Sequence, residues 1–412
     1  MELGFGKGAL FLLLVAAVVA MLMRRLRISY SVGLVAAGMA LAWAPLTPRI
    51  ILTRGFILDV LLPPLIFEAA FYLRWSQLRR ELPLVLTLAS VGVVLSGGVT
   101  ALGMHYLAQW EWPAALVFGS LIAATDPVSV IATLRESGVH GRLKLLIESE
   151  SLFNDGTAAV AFSLAILAAT GQHLTTGRFL VLLLDNVGMG CLCGLAVGWL
   201  AVFLAGRTED HLVELTFTTV AAYGSFLLAE QFHSSGVLAT IVAGLIIGNR
   251  GTLGAISDRG REAVQAFWEY AAFAANSLVF LAIGMHEASE NFAVFWRASA
   301  AGILVVVLGR AISVYPICGL FHWSKLRITS RHQHALFWGG LRGALALALA
   351  LGVPDDLPGR AAILRVSFAV IAFSVFVQGL TMPLLLQALG EVPVTPPREV
   401  VRPPAHEGEQ AG

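Results

Sequence analysis

Residues 149–160 read SESLFNDGTAAV. The stretch lies inside an apolar run of helix length, 144–169, where Leu, Val and Ala are the ordinary occupants. Residues three and four apart share a helical face, so Glu150 points with Asn154 and Ser151 points with Asp155. One face therefore carries two carboxyls, a hydroxyl and an amide. An ionised side chain at the centre of a bilayer costs about 2.5–3.5 kcal/mol on insertion scales, so the cluster persists only where something compensates it. A lone Ser or Asn would read as hydrogen-bond glue between spanning helices. Two acids this close read as a site for a cation, a proton, or both in competition.

A bilayer is the right surrounding because 57% of the 412 residues are hydrophobic and only 13% are charged, with a mean hydropathy of +0.80. A soluble globule is nearer 45–50% apolar and about 25% charged. The chain reads as an all-α polytopic membrane protein. A formal net charge of +1 offers no basic stripe for phosphates, which argues against a nucleic-acid partner. Cys191, Cys193 and Cys318 lie in apolar stretches without the spacing of a metal site or a disulfide framework. The first apolar run is followed, not preceded, by its positive charges and lacks a small-residue cleavage site, so it reads as a retained span.

Spanning helices need about 20 mainly apolar residues. Windows of that kind fall near 5–23, 30–45, 51–72, 83–107, 113–134, 144–169, 179–205, 211–230, 236–248, 263–285, 293–320, 334–351 and 361–388, about thirteen transmembrane helices in all. The short ninth window, following the eighth across His233–Gly236, is the weakest separation. Lys and Arg set the orientation. Arg24, Arg25 and Arg27 follow span 1; Arg74, Arg79 and Arg80 span 3; Arg135, Arg142 and Lys144 span 5; Arg250, Arg259 and Arg261 span 9; Lys325, Arg327 and Arg331 span 11. The even-numbered connections carry almost none. That alternation predicts an amino terminus outside and a carboxyl terminus in the cytoplasm, with residues 390–412 a Pro-rich disordered tail.

Two further stretches break the rule that spans are apolar and regular. In ATDPVSV, 124–130, Pro127 lacks an N–H and disfavours helical backbone at Asp126. The helix should open at Thr125 and Asp126, and opened backbone at membrane depth is tolerated only when buried in protein or lining a polar cavity. Carbonyls and carboxylates there are hard ligands for a sodium-like cation, whereas an ordinary proline kink is the bland alternative. In GGLRGA, 339–344, three glycines surround Arg342, which at mid-membrane needs a carboxylate or carbonyl partner; Glu150 is the expected one. Interrupted helices at matching positions of two halves mark an inverted-repeat transporter with a midplane site. Span 5 of spans 1–6 (residues 5–169) answers to span 12 of spans 8–13 (residues 211–388), and an offset of seven spans inverts one half relative to the other.

ATDPV, ESLFND and GGLRGA, in this order and spacing, resemble the sodium/proton antiporters of the monovalent cation/proton antiporter superfamily, in the NhaP-type and sodium/proton exchanger branch. The resemblance extends over nearly all of the chain except the tail. It implies an NhaA-like fold with two crossing discontinuous helices, a core domain near 83–169 and 293–388, and a dimerisation domain near 5–72 and 179–285 within a transmembrane unit of 1–389. It implies a homodimer in the inner (plasma) membrane and no cofactor. The transported ions would be Na+ and H+, with Li+ and K+ as further candidates. By resemblance Asp155 is the main cation and proton carrier; Glu150, Ser151, Thr125 and Asp126 complete the sodium and proton site; Asn154 and Arg342 support it. Asn before the Asp implies electroneutral exchange.

An empty, charged carboxylate is costly to carry through an apolar interior, and either a sodium ion or a proton removes that cost. Competition for Asp155 then gives obligatory exchange by alternating access. Several residues are set aside. Glu68 either joins a polar path to the core or, the preferred reading, is an interfacial acid beside Arg74. Gly190, Gly194 and Gly198 form a small-residue face that packs either within the chain or across a dimer. Ser374 and Gln378 read as ordinary interhelical bonding, Asp185 and Asn186 as interfacial, and none of the ten His is singled out as a pH sensor. An intramembrane aspartyl hydrolase using Asp126 and Asp155, a passive cation channel and a sodium-coupled symporter are the alternative classes.

Overall fold

The computed structural model describes residues 5–26, 29–43, 55–126, 141–170, 176–250, 256–287 and 292–391. Among these residues the regular structure is entirely helical. In chain order it comprises α1 (Phe5–Leu26), α2 (Tyr30–Ala42), α3 (Leu62–Tyr72, entered through a π-helical turn Phe56–Leu61), α4 (Trp75–Ala108), α5 (Trp112–Ile122) and α6 (Arg142–Ala169). Then follow α7 (Thr176–Ala205), α8 (His211–Gln231), α9 (Gly236–Arg250), α10 (Asp258–Glu287), α11 (Phe292–Leu320), α12 (Ser330–Trp338), α13 (Ala344–Leu351) and α14 (Arg360–Phe373). α14 runs through a second π-helical turn, Ser374–Gln378, into α15 (Gly379–Ala388). Among the described residues, seven single helices and the continuous run α14–α15 are long and apolar enough to cross a membrane; α2, α5 and α9 are shorter and also apolar.

Local chemistry sets the boundaries. Pro113 opens α5 in the first turn, where a missing N–H costs nothing. Asp210 caps α8 by accepting the Leu212 N–H at 2.9 Å, and Thr329 caps α12 by accepting that of His332 at 3.3 Å. The doubtful eighth and ninth windows are separate helices. α8 stops at Gln231, His233 takes a left-handed φ of 55°, and the Ser235 hydroxyl receives the Leu238 N–H at 3.2 Å as α9 begins. α8 and α9 then pack on one another.

Packing sorts the helices. α4 packs heavily on α11 and also on α5 and α6, and α11 packs on α14; α10 lies on α2 and α3, and α9 lies on α3, α7 and α8. α6, which carries SESLFND, touches both sets. Within lipid, close packing relies on small residues that let backbones approach. The Gly190, Gly194 and Gly198 face is spent inside the chain on α9: a Cβ at Gly190 would come within 2.8 Å of Ser235 O, and one at Gly198 within 3.0 Å of Ala243 Cα. Asp185 is exposed on the same helix. The expected tail, from residue 392 onward, and Pro127 lie outside the described residues.

Candidate ion site

Both irregular stretches are unwound, and they meet. α5 ends at Ile122, earlier than Pro127 alone would require, and Ala124–Asp126 have left the helix. On the other side α12 ends at Trp338 and α13 begins at Ala344, leaving Gly339–Gly343 unwound. The Asp126 N–H donates to Leu341 O at 2.7 Å, so each broken segment satisfies the other's freed backbone. The Arg342 N–H donates to the Ser374 hydroxyl at 3.0 Å, and Ser374 in turn donates to Gln378 Oε1 at 2.6 Å. The expected bonding between helices is what these contacts show, with Ser374 satisfying a backbone N–H that unwinding frees.

α6 presents its polar face to this junction. Glu150, Ser151, Asn154 and Thr125 are each at most 2% exposed. Thr125 Oγ1 donates to Ser151 Oγ at 3.1 Å. The Asn154 amide lies 3.3 Å from both Thr125 Oγ1 and Glu150 Oε1, donating to each. The expected alignment of Glu150 with Asn154 is thus a direct contact, and Asn154 ties the broken helix to the intact one.

The expected partnership of Glu150 with Arg342 is corrected. The ion partner is Arg310 on α11, whose Nη1 and Nη2 donate to the two Glu150 oxygens at 2.7 and 2.9 Å. Arg310 also donates to Leu336 O at 3.0 Å. Arg342 instead donates through Nη1 to Gly340 O at 2.7 Å. Arg342 sits in unwound chain and is taken up by a carbonyl of its own segment, while Arg310 reaches across from α11 to Glu150 and takes Leu336 O as well. Arg310 escaped notice in the sequence although its signal was plain, a single Arg in the apolar run ILVVVLGRAISV, 303–314.

Asp155 and Asp126 are half-buried and line one cavity of about 490 Å³, together with Thr125 and Gly343. Asp155 Oδ1 is buried with no hydrogen-bond partner among the described residues, which is costly unless a proton or cation supplies one. A Cβ at Gly343 would collide with the Asp126 carboxyl, so glycine there makes room for that acid. The cavity reaches past Glu68, Glu148 and Glu269 to Tyr72 and Arg24, at the end of the bundle carrying the basic connections. Glu68 therefore faces the cavity and is not merely an interfacial acid, because the α3 helix turns it inward while Arg74 lies beyond the helix end, exposed.

The charges tally simply. Asp126, Glu150 and Asp155 set three carboxyls against two guanidiniums, Arg310 and Arg342, so the fully ionised cluster carries one net negative charge. One monovalent cation or one proton neutralises it. No group of three or more His, Cys, Asp or Glu among the described residues is close enough to hold a metal ion. An ion at Asp155 would need hydroxyl and carbonyl oxygens as well, which Thr125, Ser151 and the unwound backbone offer.

A family model described as "Sodium/hydrogen exchanger, transmembrane" matches residues 11–388. The chain is 40% identical over 367 residues to the Na(+)/H(+) antiporter ApNhaP of Aphanothece halophytica, covering 88% of this chain and 70% of that one. It is 36% identical over 382 residues to the low-affinity Na(+)/H(+) antiporter NhaS1 of a Synechocystis strain, covering 90% and 72%. Among solved structures, the sodium proton antiporter MjNhaP1 of Methanocaldococcus jannaschii matches with a TM-score of 0.76 over 95% of this chain and 99% of that one at 19% identity, a likeness of fold.

Proposed function

The chain belongs to the transmembrane sodium/hydrogen exchanger family, a family of transporters and not of enzymes, and from that premise we propose that it exchanges Na+ for H+ across the inner membrane with one-to-one, electroneutral stoichiometry. Asp155 is the shared carrier, with Asp126, Thr125, Ser151 and Glu150 completing the site. Asn154 and Arg342 support it, and Arg310 compensates Glu150 permanently. The observation that carries this reading is the buried, unpartnered Asp155 Oδ1 beside Asp126 at the cavity. One net negative charge on the fully ionised cluster supports the stoichiometry: one Na+ or one H+ returns it to neutrality, and only the neutral site crosses.

In this reading about thirteen spans place the amino terminus outside and the carboxyl terminus in the cytoplasm. The two unwound segments are crossing discontinuous helices related by the inverted repeat. α4–α6 with α11–α15 form the mobile core; α1–α3 with α7–α10 form the static unit through which two copies dimerise. The cavity opens to the cytoplasmic side, an inward-facing state. No cofactor takes part.

The test is reconstitution. In proteoliposomes with an imposed pH gradient, added Na+ should dissipate the gradient at a rate independent of a potassium–valinomycin potential. A rate that follows the potential would overturn the stoichiometry, and absence of any cation-dependent proton movement would overturn the exchange reading. Li+ and K+ in the same assay define selectivity.

A further inference from the structure

α10 turns one face to the cavity. Glu269, Ala272, Phe273 and Asn276 all line it, at the spacings of three, four and seven that bring residues to one side of a helix. Glu269 stands exposed at the mouth and accepts the Tyr72 hydroxyl at 3.0 Å. Asn276 lies seven residues further along, roughly 10 Å deeper at about 1.5 Å per residue. It is only 5% exposed, and its Oδ1 has no hydrogen-bond partner among the described residues. The adjacent polar groups are satisfied: Ser277 donates to Phe273 O, and its hydroxyl lies 2.7 Å from that of Tyr30. Tyr30 also stacks on Phe273, ring centroids 5.4 Å apart. The wall around Asn276 is therefore well made, and the amide oxygen is left without a bond.

Buried polar groups are nearly always bonded, and one that is not lowers stability without a structural return. Asn276 shares its cavity with Asp126 and Asp155, and α10 packs chiefly on α2 and α3 and more lightly on α13 and α14. We propose that Asn276 is a specificity-determining residue for the cation, its amide oxygen replacing part of the hydration shell of a metal ion on its way to the Asp126 and Asp155 carboxylates. This rests on the exchange reading above and deepens it. Carboxylates accept a proton as readily as a cation. An amide oxygen is a hard ligand for a metal ion but takes up no proton at neutral pH, so it biases the competition toward the cation. A half-turn about χ2 exchanges the amide oxygen and nitrogen, so the oxygen can face the cavity without backbone movement.

Asn276→Leu keeps the side-chain shape and deletes the dipole. With the full-length protein in proteoliposomes, beside the wild type, the variant should melt no lower than wild type. Its apparent KM for Na+ should rise about 3- to 10-fold with Vmax within about twofold, the pattern of a lost binding contact. The proton dependence at saturating Na+ should not move. Asn276→Asp introduces a titratable oxygen, and it should make the KM for Na+ fall more steeply with rising pH than the wild type's does. A wild-type KM in Asn276→Leu overturns the inference, as does a lower melting temperature with unchanged KM, which would mark a packing role. Should Asn276→Leu not fold, a KM in Asn276→Asp that follows pH as wild type does is equally contrary. Absence of exchange in the wild type would instead count against the exchange reading itself.

Discussion

Replacing Arg310 with Met strands Glu150. The carboxylate is 1% exposed and receives two charge-assisted bonds, 2.7 and 2.9 Å, against a single 3.3 Å bond from Asn154. With charge centres about 4 Å apart and an effective dielectric of about 20, the Coulombic attraction is about 4 kcal/mol. Removing one member of a buried pair costs about 3–5 kcal/mol because the other charge stays buried and alone. Arg310→Met and Glu150→Gln should each lower the melting temperature of the detergent-purified protein by roughly 3–6 °C. The double variant leaves no stranded charge and should recover to within about 1–2 kcal/mol of wild type, a coupling of about 3 kcal/mol or more. Tryptophan-fluorescence melting of all four proteins reads this directly. Additive losses in the double variant would refute the assignment, and so would a coupling that appears for Glu150 with Arg342 instead of Arg310.

Two other outcomes follow from the site. Gly343→Ala puts a methyl where the Asp126 carboxyl lies; displacing that carboxyl should raise the apparent KM for Na+ about tenfold or more and lower the melting temperature, and an unchanged KM would separate Gly343 from the site. Competition at Asp155 fixes the sign of the pH response: acidifying the medium favours the protonated carrier, so the apparent KM for Na+ should climb toward about tenfold per pH unit on the acid side while saturating Na+ restores Vmax. Rates measured over Na+ concentration at several pH values check it, and a Vmax that falls with KM constant contradicts simple competition.

What could be read from sequence follows from how the bilayer acts on a chain. Bilayer thickness fixes the length of a spanning run, so helical backbone was foreseeable window by window. SESLFND was conspicuous because ionised groups are expensive in an apolar helix. GGLRGA and ATDPV were legible as breaks because Gly and Pro act locally on the backbone. Pairing across the fold was not legible. Arg310 lies 160 residues from Glu150, and nothing local distinguishes it from Arg342 as a partner. Glu68 misled for the same reason: Arg74 is near in sequence, whereas the cavity with Asp126 and Asp155 exists only after α3 packs against its neighbours. The Gly190–Gly194–Gly198 face announced close packing, and only the fold identifies α9 as what it packs on.

Asp155→Asn tests the central claim most directly, because the amide keeps the shape of the carboxyl while removing the charge that Na+ and H+ share. Purified, monodisperse Asp155→Asn in proteoliposomes should show no Na+-dependent movement of protons and no 22Na+ uptake driven by a pH gradient, while the wild type shows both. Uptake at the wild-type rate from the substituted protein would contradict the account.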